Sequence, residues 1–169
     1  MLPALIFGPP IQPVSILKKI NYSSDVFYSL FNGTYEVVPD TSFPSYVRIH
    51  AFFIYFFKII KDRTNAQQID VRDLASAHIL SLTTPAVANK RFMIGGNKYS
   101  SQIAVDALKT VPELEGRLPK DGSEEEKVLE SGDVLEWNEK LGLKPRTPVQ
   151  TFGDAARRLL ELEKVFGGK

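Results

Sequence analysis

The chain has 169 residues, 43% of them apolar, 11% aromatic and 24% charged, with 21 basic against 20 acidic side chains and a net charge of +1. That apolar content is ample for a buried core, and charge so near balance leaves no field to hold a phosphate backbone or an anionic bilayer, so neither nucleic acid nor membrane is expected as a partner. The absence of cysteine excludes disulfides, thiolate-zinc sites and CxxC redox chemistry, and the two histidines, His50 and His78, stand in no metal-ligand spacing.

From the N-terminus, Pro3 to Phe7 is a continuous apolar run stopped by Gly8-Pro9-Pro10, the pattern of a buried parallel strand that ends in a sharp turn. It has no basic region before it and is cut by two prolines, so it does not read as a signal peptide. Between Ser15 and Phe31 the apolar positions Ile16, Leu17, Ile20, Val26, Phe27, Leu30 and Phe31 recur at helical spacing around a polar break at Asn21 to Asp25. Two helical segments are predicted, the second closed by Asn32-Gly33, where glycine accepts a left-handed backbone. Tyr35 to Val38 predicts a short strand, and Pro39 to Pro44 a loop. The strongest hydrophobic block, Ala51 to Ile60, falls well short of the roughly 20 residues a spanning helix needs.

Further on, Asp73, Leu74, Ala77, His78 and Leu82 predict an amphipathic helix that stops before Thr83. Arg72 and Asp73 read as a capping and ion-pair element, and His78 as a satisfied, partly buried side chain rather than a base. Residues 91 to 94 predict a strand, and Ser100 or Ser101 can cap a helix from Gln102 to Lys109. Val111 to Gly132 reads as mostly surface, and Asp133 to Leu141 as a short helix. Thr151, with Asp154 behind it, is the expected cap of the last helix.

The chemistry-bearing patterns are missing. No GxGxxG, GxxxxGK[ST] or GxSxG occurs, and none of the six tyrosines is followed by lysine four residues later. The sequence therefore assigns no catalytic residue and no metal ligand.

Two stretches nevertheless carry a resemblance: Pro3-Ala-Leu-Ile-Phe-Gly-Pro9 followed by Asn21-Tyr-Ser23, and Ile69-Asp-Val-Arg-Asp-Leu-Ala-Ser-Ala-His78. They resemble the second half of the extended short-chain dehydrogenase/reductases, a group related to the epimerases and dehydratases, and within it the fungal aldehyde and ketone reductases and the dihydroflavonol-reductase-like enzymes. Lys90 to Ile94, the C-terminal Leu-Gly-Leu-Lys-Pro and the final helix follow in the family's order. The implied fold is α/β, the C-terminal part of a Rossmann-like reductase: its remaining parallel strands plus a small substrate-binding lobe. The implied chemistry is hydride transfer between NADP or NAD and a small carbonyl substrate, with the family's catalytic Tyr, Lys and Ser and its glycine fingerprint in an N-terminal half that these residues do not include.

What the resemblance carries onto this chain is the lip of the site. Pro3 and Ala4 would turn their backbone to the nicotinamide carboxamide, Asn21 and Ser23 would approach the cofactor, and Phe7, Gly8, Pro9 and Ile11 would line the substrate pocket. On the residues alone, Pro3 and Pro9 read equally well as turn residues, and Asn21 and Ser23 as a helix break.

Joining Tyr46 directly to Ile69 gives Phe-Pro-Ser-Tyr-Ile-Asp-Val-Arg-Asp, the continuity that the resemblance implies. Residues 47–68 are thus read as an insertion between two parts of one unit, 1–46 and 69–169. A retained intron would account for it: Val47-Arg48 can be encoded as GTACGT, a splice-donor form, Thr64-Asn65 as ACTAAC, a branch-point form, and Gln68 as CAG, an acceptor. Three readings of function follow. The chain is a truncated, cytoplasmic NAD(P)-dependent carbonyl reductase inactive by itself, a non-catalytic binding or assembly protein of the same descent that docks on a full-length relative, or an incomplete gene model of an active reductase.

Overall fold

The computed structural model describes residues 1–13, 17–39, 67–122 and 132–167. The expected first strand forms in two pieces, β1 (Leu2–Pro3) and β2 (Leu5–Phe7), divided at Ala4. β2 pairs in parallel with β3 (Gln68–Asp70), Leu5 opposite Gln68, and β1 pairs in parallel with β4 (Met93–Ile94), Leu2 opposite Met93. The backbone shows why the run divides. The amides of Leu2 and Ala4 donate to the carbonyls of Phe92 and Ile94 (2.8 and 2.9 Å), whereas that of Leu5 points the other way and donates to Gln67 (3.0 Å). One extended run therefore serves β4 along one edge and β3 along the other, as alternation of amide direction dictates.

Five α-helices pack around these strands among the described residues: α1 (Tyr22–Tyr28), α2 (Val71–Thr83), α3 (Ser101–Leu108), α4 (Gly132–Leu141) and α5 (Pro148–Phe166). Side-chain alternation along β2 and β3 sorts the interior into two cores, one on each face. Leu5 and Phe7 face an aromatic core with Phe27 and Phe31 of the α1 region, Tyr99, Leu108 of α3 and Phe152 and Leu159 of α5. Phe7 stacks on Tyr99 (ring centroids 4.7 Å) and Phe27 on Phe152 (5.3 Å). Each such pair adds about 0.5–1.5 kcal/mol beyond the burial of its area. Ile6 and Ile69 face the second core, with Leu74 and Ala77 of α2, Ile94, and Leu141 and Trp137 of α4, the indole stacked on Phe92 at 4.9 Å.

The parallel pairing and the α/β class agree with the sequence, and so does the cap at Ser100, whose Oγ accepts the amide of Ile103 at 3.0 Å. Several expectations need correction. The polar break at Asn21 is the start of α1, because Asn21 is its N-terminal cap residue. Tyr35 to Val38 yields one bridge, Val37 to Lys120, and no strand, since only a brief extended partner runs beside it. The last helix starts at Pro148 and is capped by Thr147, which accepts the amide of Gln150 while Gln150 Oε1 accepts that of Thr147 (3.0 Å). Thr151 is buried inside that helix. His78 has the partner expected of it, its Nδ1 2.8 Å from the Leu74 carbonyl one turn back, but it is exposed where partial burial was expected. Gln67 and Gln68, the last residues of the segment expected to be inserted, belong to the sheet region. Residues 47–66, with the aromatic block, lie outside the described residues.

Candidate functional site

The turn after β2 is set by glycine. Gly8 has φ +133°, and a Cβ placed there would lie 2.9 Å from Val71 Cγ1 and 3.3 Å from Asp70 Oδ1. Only glycine lets the chain leave β2 pressed against the start of α2. Pro9 and Pro10 then hold the chain extended as it crosses toward α1.

That crossing creates a pocket of about 200 Å³ between the turn, the start of α1 and the start of α2. Ile6, Phe7, Pro9, Pro10, Phe27 and Val71 form its apolar wall, and Gln12, Asn21 and Ser23 its polar rim. The rim is internally bonded. Asn21 leaves the helix amides uncapped, accepts from Gln12 Nε2 at Oδ1 (2.8 Å) and donates from Nδ2 to Ser23 Oγ (2.8 Å). Six of the eight residues assigned from the sequence, Phe7, Gly8, Pro9, Ile11, Asn21 and Ser23, line this one pocket. Pro3 and Ala4 do not; they sit on and beside β1. Sequence reasoning missed Ile6, Phe27 and Val71. Phe27 was visible as a core position of a helix, but nothing in the sequence brings Val71 to Gly8.

The floor is braced by ions. Asp70, with its side chain fully buried, caps α2 by accepting the Arg72 amide (2.8 Å) and takes the Arg72 guanidinium on both oxygens (2.9 and 2.7 Å). Arg72 also donates from Nη1 to Asp154 of α5 (2.8 Å). Burial alone would push the Asp70 carboxyl up, but these bonds outweigh it and hold the group below the usual carboxylate range. Asp73, also buried, accepts the Arg146 amide (2.7 Å) and pairs with its guanidinium. The Asp-Val-Arg-Asp segment is thus a cap and ion-pair element that fastens α2 to α5 and to the loop before it.

A second, larger and shallower groove lies between the turn after α1, Gly116 and the end of α5. Two of its charges are paired with each other: Arg117 donates to both oxygens of Glu163 (2.9 Å each) and to the Phe31 carbonyl (3.2 Å), and the Tyr28 hydroxyl donates to Glu163 (2.7 Å). The Arg117 bonds draw the Glu163 carboxyl below its ordinary range, while burial, then the bond to Glu163, pushes the Tyr28 phenol up to about 12.

Among the described residues, the lining of the pocket by the Gly8 turn is apolar, amide and hydroxyl, with no titratable side chain. Among the described residues no three His, Asp or Glu side chains gather as a metal site, and no helix is long and apolar enough to cross a membrane.

No family model matches the chain. It is 30% identical to an uncharacterised oxidoreductase of Schizosaccharomyces pombe, over 95% of this chain and 41% of that protein. It is 24% identical to the NADPH-dependent methylglyoxal reductase of Saccharomyces cerevisiae, over 95% of this chain and 42% of the enzyme. The crystal structure of yeast methylglyoxal/isovaleraldehyde reductase complexed with NADPH superposes on 96% of this chain and 42% of that one, with a TM-score of 0.68 and 24% identity. The chain spans about two-fifths of the length of the curated relatives it matches. Its homologues are oxidoreductases of the extended short-chain dehydrogenase/reductase family, and its fold is that of a part of such a reductase.

Proposed function

We propose that this chain supplies the substrate wall and the nicotinamide edge of an NADPH-dependent carbonyl reductase, and that it does not reduce carbonyls by itself. The observation that carries the reading is that two separate stretches assigned from the resemblance, Phe7 to Ile11 and Asn21 to Ser23, meet on one pocket whose wall is apolar and whose rim is amide and hydroxyl. Such a lining suits a small aliphatic aldehyde or ketone, with the alkyl part against Phe7, Pro9 and Val71. When bound, the nicotinamide supplies hydride to the carbonyl carbon.

The strand geometry fits a carboxamide beside it. The Ala4 amide is committed to Ile94, so the opposite edge of the run presents the carbonyl of Pro3, which has no N–H of its own; an acceptor suits the carboxamide's amino group. Asn21 and Ser23 stand on the rim as further polar contacts for the cofactor.

Calorimetry of the isolated chain with NADPH tests the reading, with no binding expected because no phosphate-binding loop is present in the sequence. Tight binding would overturn it. Added separately, the N-terminal portion of a relative should restore NADPH-dependent methylglyoxal reduction that neither piece shows alone.

A second reading, a non-catalytic protein that docks on a full-length relative, is favoured by one observation. Leu2 and Met93, opposite each other and so on one face of β1 and β4, are 41% and 44% exposed. Recovery of a full-length reductase on the immobilised chain would support it, and loss of that capture with Met93→Asp would locate the surface.

A further inference from the structure

We propose that residues 47–68 are an insertion spliced out of the working form, and that β3 is built for a chain in which Tyr46 runs directly into Ile69. Gln68 pairs with Leu5, so its side chain enters the face of the sheet occupied by Phe7 and the aromatic core, and it is fully buried there. Neither amide atom of that side chain has a hydrogen-bond partner, and neither does Gln67 Oε1. The Gln67 oxygen lies over Gly95, in space that a Cβ there would need: one built on Gly95 would be 2.6 Å from it.

Native interiors leave few polar atoms unpaired, because each has given up water for nothing. Three such atoms on two consecutive residues are a mismatch between side chain and site. The main chain at these positions is well used: the Gln67 carbonyl accepts from Leu5 (3.0 Å), and the Gln68 amide donates to Asn97 (2.8 Å). The strand is right and the side chains on it are wrong.

Joining Tyr46 to Ile69 corrects both. In the joined chain a tyrosine would stand where Gln68 now faces Leu5, beside a core made of Phe7, Phe27, Tyr99 and Phe152. The residue before it would be a serine, with no long amide to leave unpaired at the position of Gln67. The same junction is the one at which Val47-Arg48 and Gln68 are encodable as splice-donor and acceptor forms, and the sequence continuity at Tyr46 and Ile69 is independent of the burial at Gln68.

The test compares the full chain with one lacking residues 47–68 in thermal unfolding. The shortened chain is expected to unfold at a temperature higher by about 5 °C or more. Tyr46→Gln in the shortened chain should reverse that gain, and Gln68→Leu in the full chain, which removes the orphaned amide at nearly constant volume, should raise the midpoint. A shortened chain that unfolds at or below the temperature of the full chain, or a neutral Tyr46→Gln, overturns the proposal. Sequencing of transcripts across codons 46–69 reads it without any folding measurement. A message lacking codons 47–68 is expected, and transcripts that all retain them sink the idea.

Discussion

Replacing Gly8 with alanine should destabilise the protein far more than replacing Gly33, although both glycines have positive φ. At Gly8, φ is +133°, a conformation that costs a residue with a Cβ about 1–3 kcal/mol. The new methyl would also meet Val71 Cγ1 at 2.9 Å and Asp70 Oδ1 at 3.3 Å. Neither neighbour retreats easily, since Val71 is β-branched and stiff and Asp70 is gripped by Arg72; overpacking of this kind costs about 1–3 kcal/mol. The sum, about 2–6 kcal/mol, corresponds to a fall in midpoint of about 4–24 °C at about 2–4 °C per kcal/mol for a chain of this size. At Gly33, φ is +88° and nothing lies within 4 Å of the built Cβ, so only the backbone penalty remains. Thermal and urea unfolding of the two variants, followed by far-ultraviolet circular dichroism, make the comparison. Equal losses, or a Gly8→Ala midpoint within about 2 °C of the parent, would refute the close-approach reasoning.

Asp70→Asn should lower stability by about 1.5–3 kcal/mol at neutral pH, since it weakens a charge-assisted bond network while leaving Arg72 in place. Because the folded carboxyl titrates below its ordinary value of 3.8, its contribution is present above that value and is lost as the pH falls below it. Urea melts from pH 7 to pH 3 should show a shallower acid decline for the variant than for the parent. Tyr28→Phe should cost about 1 kcal/mol in the same assay. With the folded phenol raised from 10.0 to about 12, the stabilisation from Tyr28 is full below pH 10 and drains as pH climbs toward the folded value, and ultraviolet titration should show one tyrosine ionising late. Ser100→Ala, which strips the acceptor from the Ile103 amide, should cost about 1 kcal/mol by urea melts.

What the sequence revealed followed the reach of each signal. Hydrophobic runs and local caps act within a few residues, so the strand around Leu5, the turn at Gly33 and the cap at Ser100 could all be read. The start of the last helix could not, because Thr147 and Thr151 are both capping residue types, and tertiary packing chose by burying Thr151 in the interior. Val37 and Val38 carry strand preference, yet a strand needs a partner, and only Lys120 meets them. The pocket was legible where one short stretch builds it, from Phe7 to Ile11. Its other wall was hidden because Val71 arrives through the pairing of β2 with β3, and its brace because Arg72 reaches Asp154 across the fold.

The pairing of β2 with β3 joins parts of the chain separated by everything between Phe7 and Gln68. Closing a flexible segment costs entropy that grows only with the logarithm of its length, about 0.6 kcal/mol for each doubling. Residues added there are nearly silent in the free energy of folding, provided the strand ends they connect are kept. The sheet thus sets its tolerance by what stands at the two strand ends and not by how much chain runs between them.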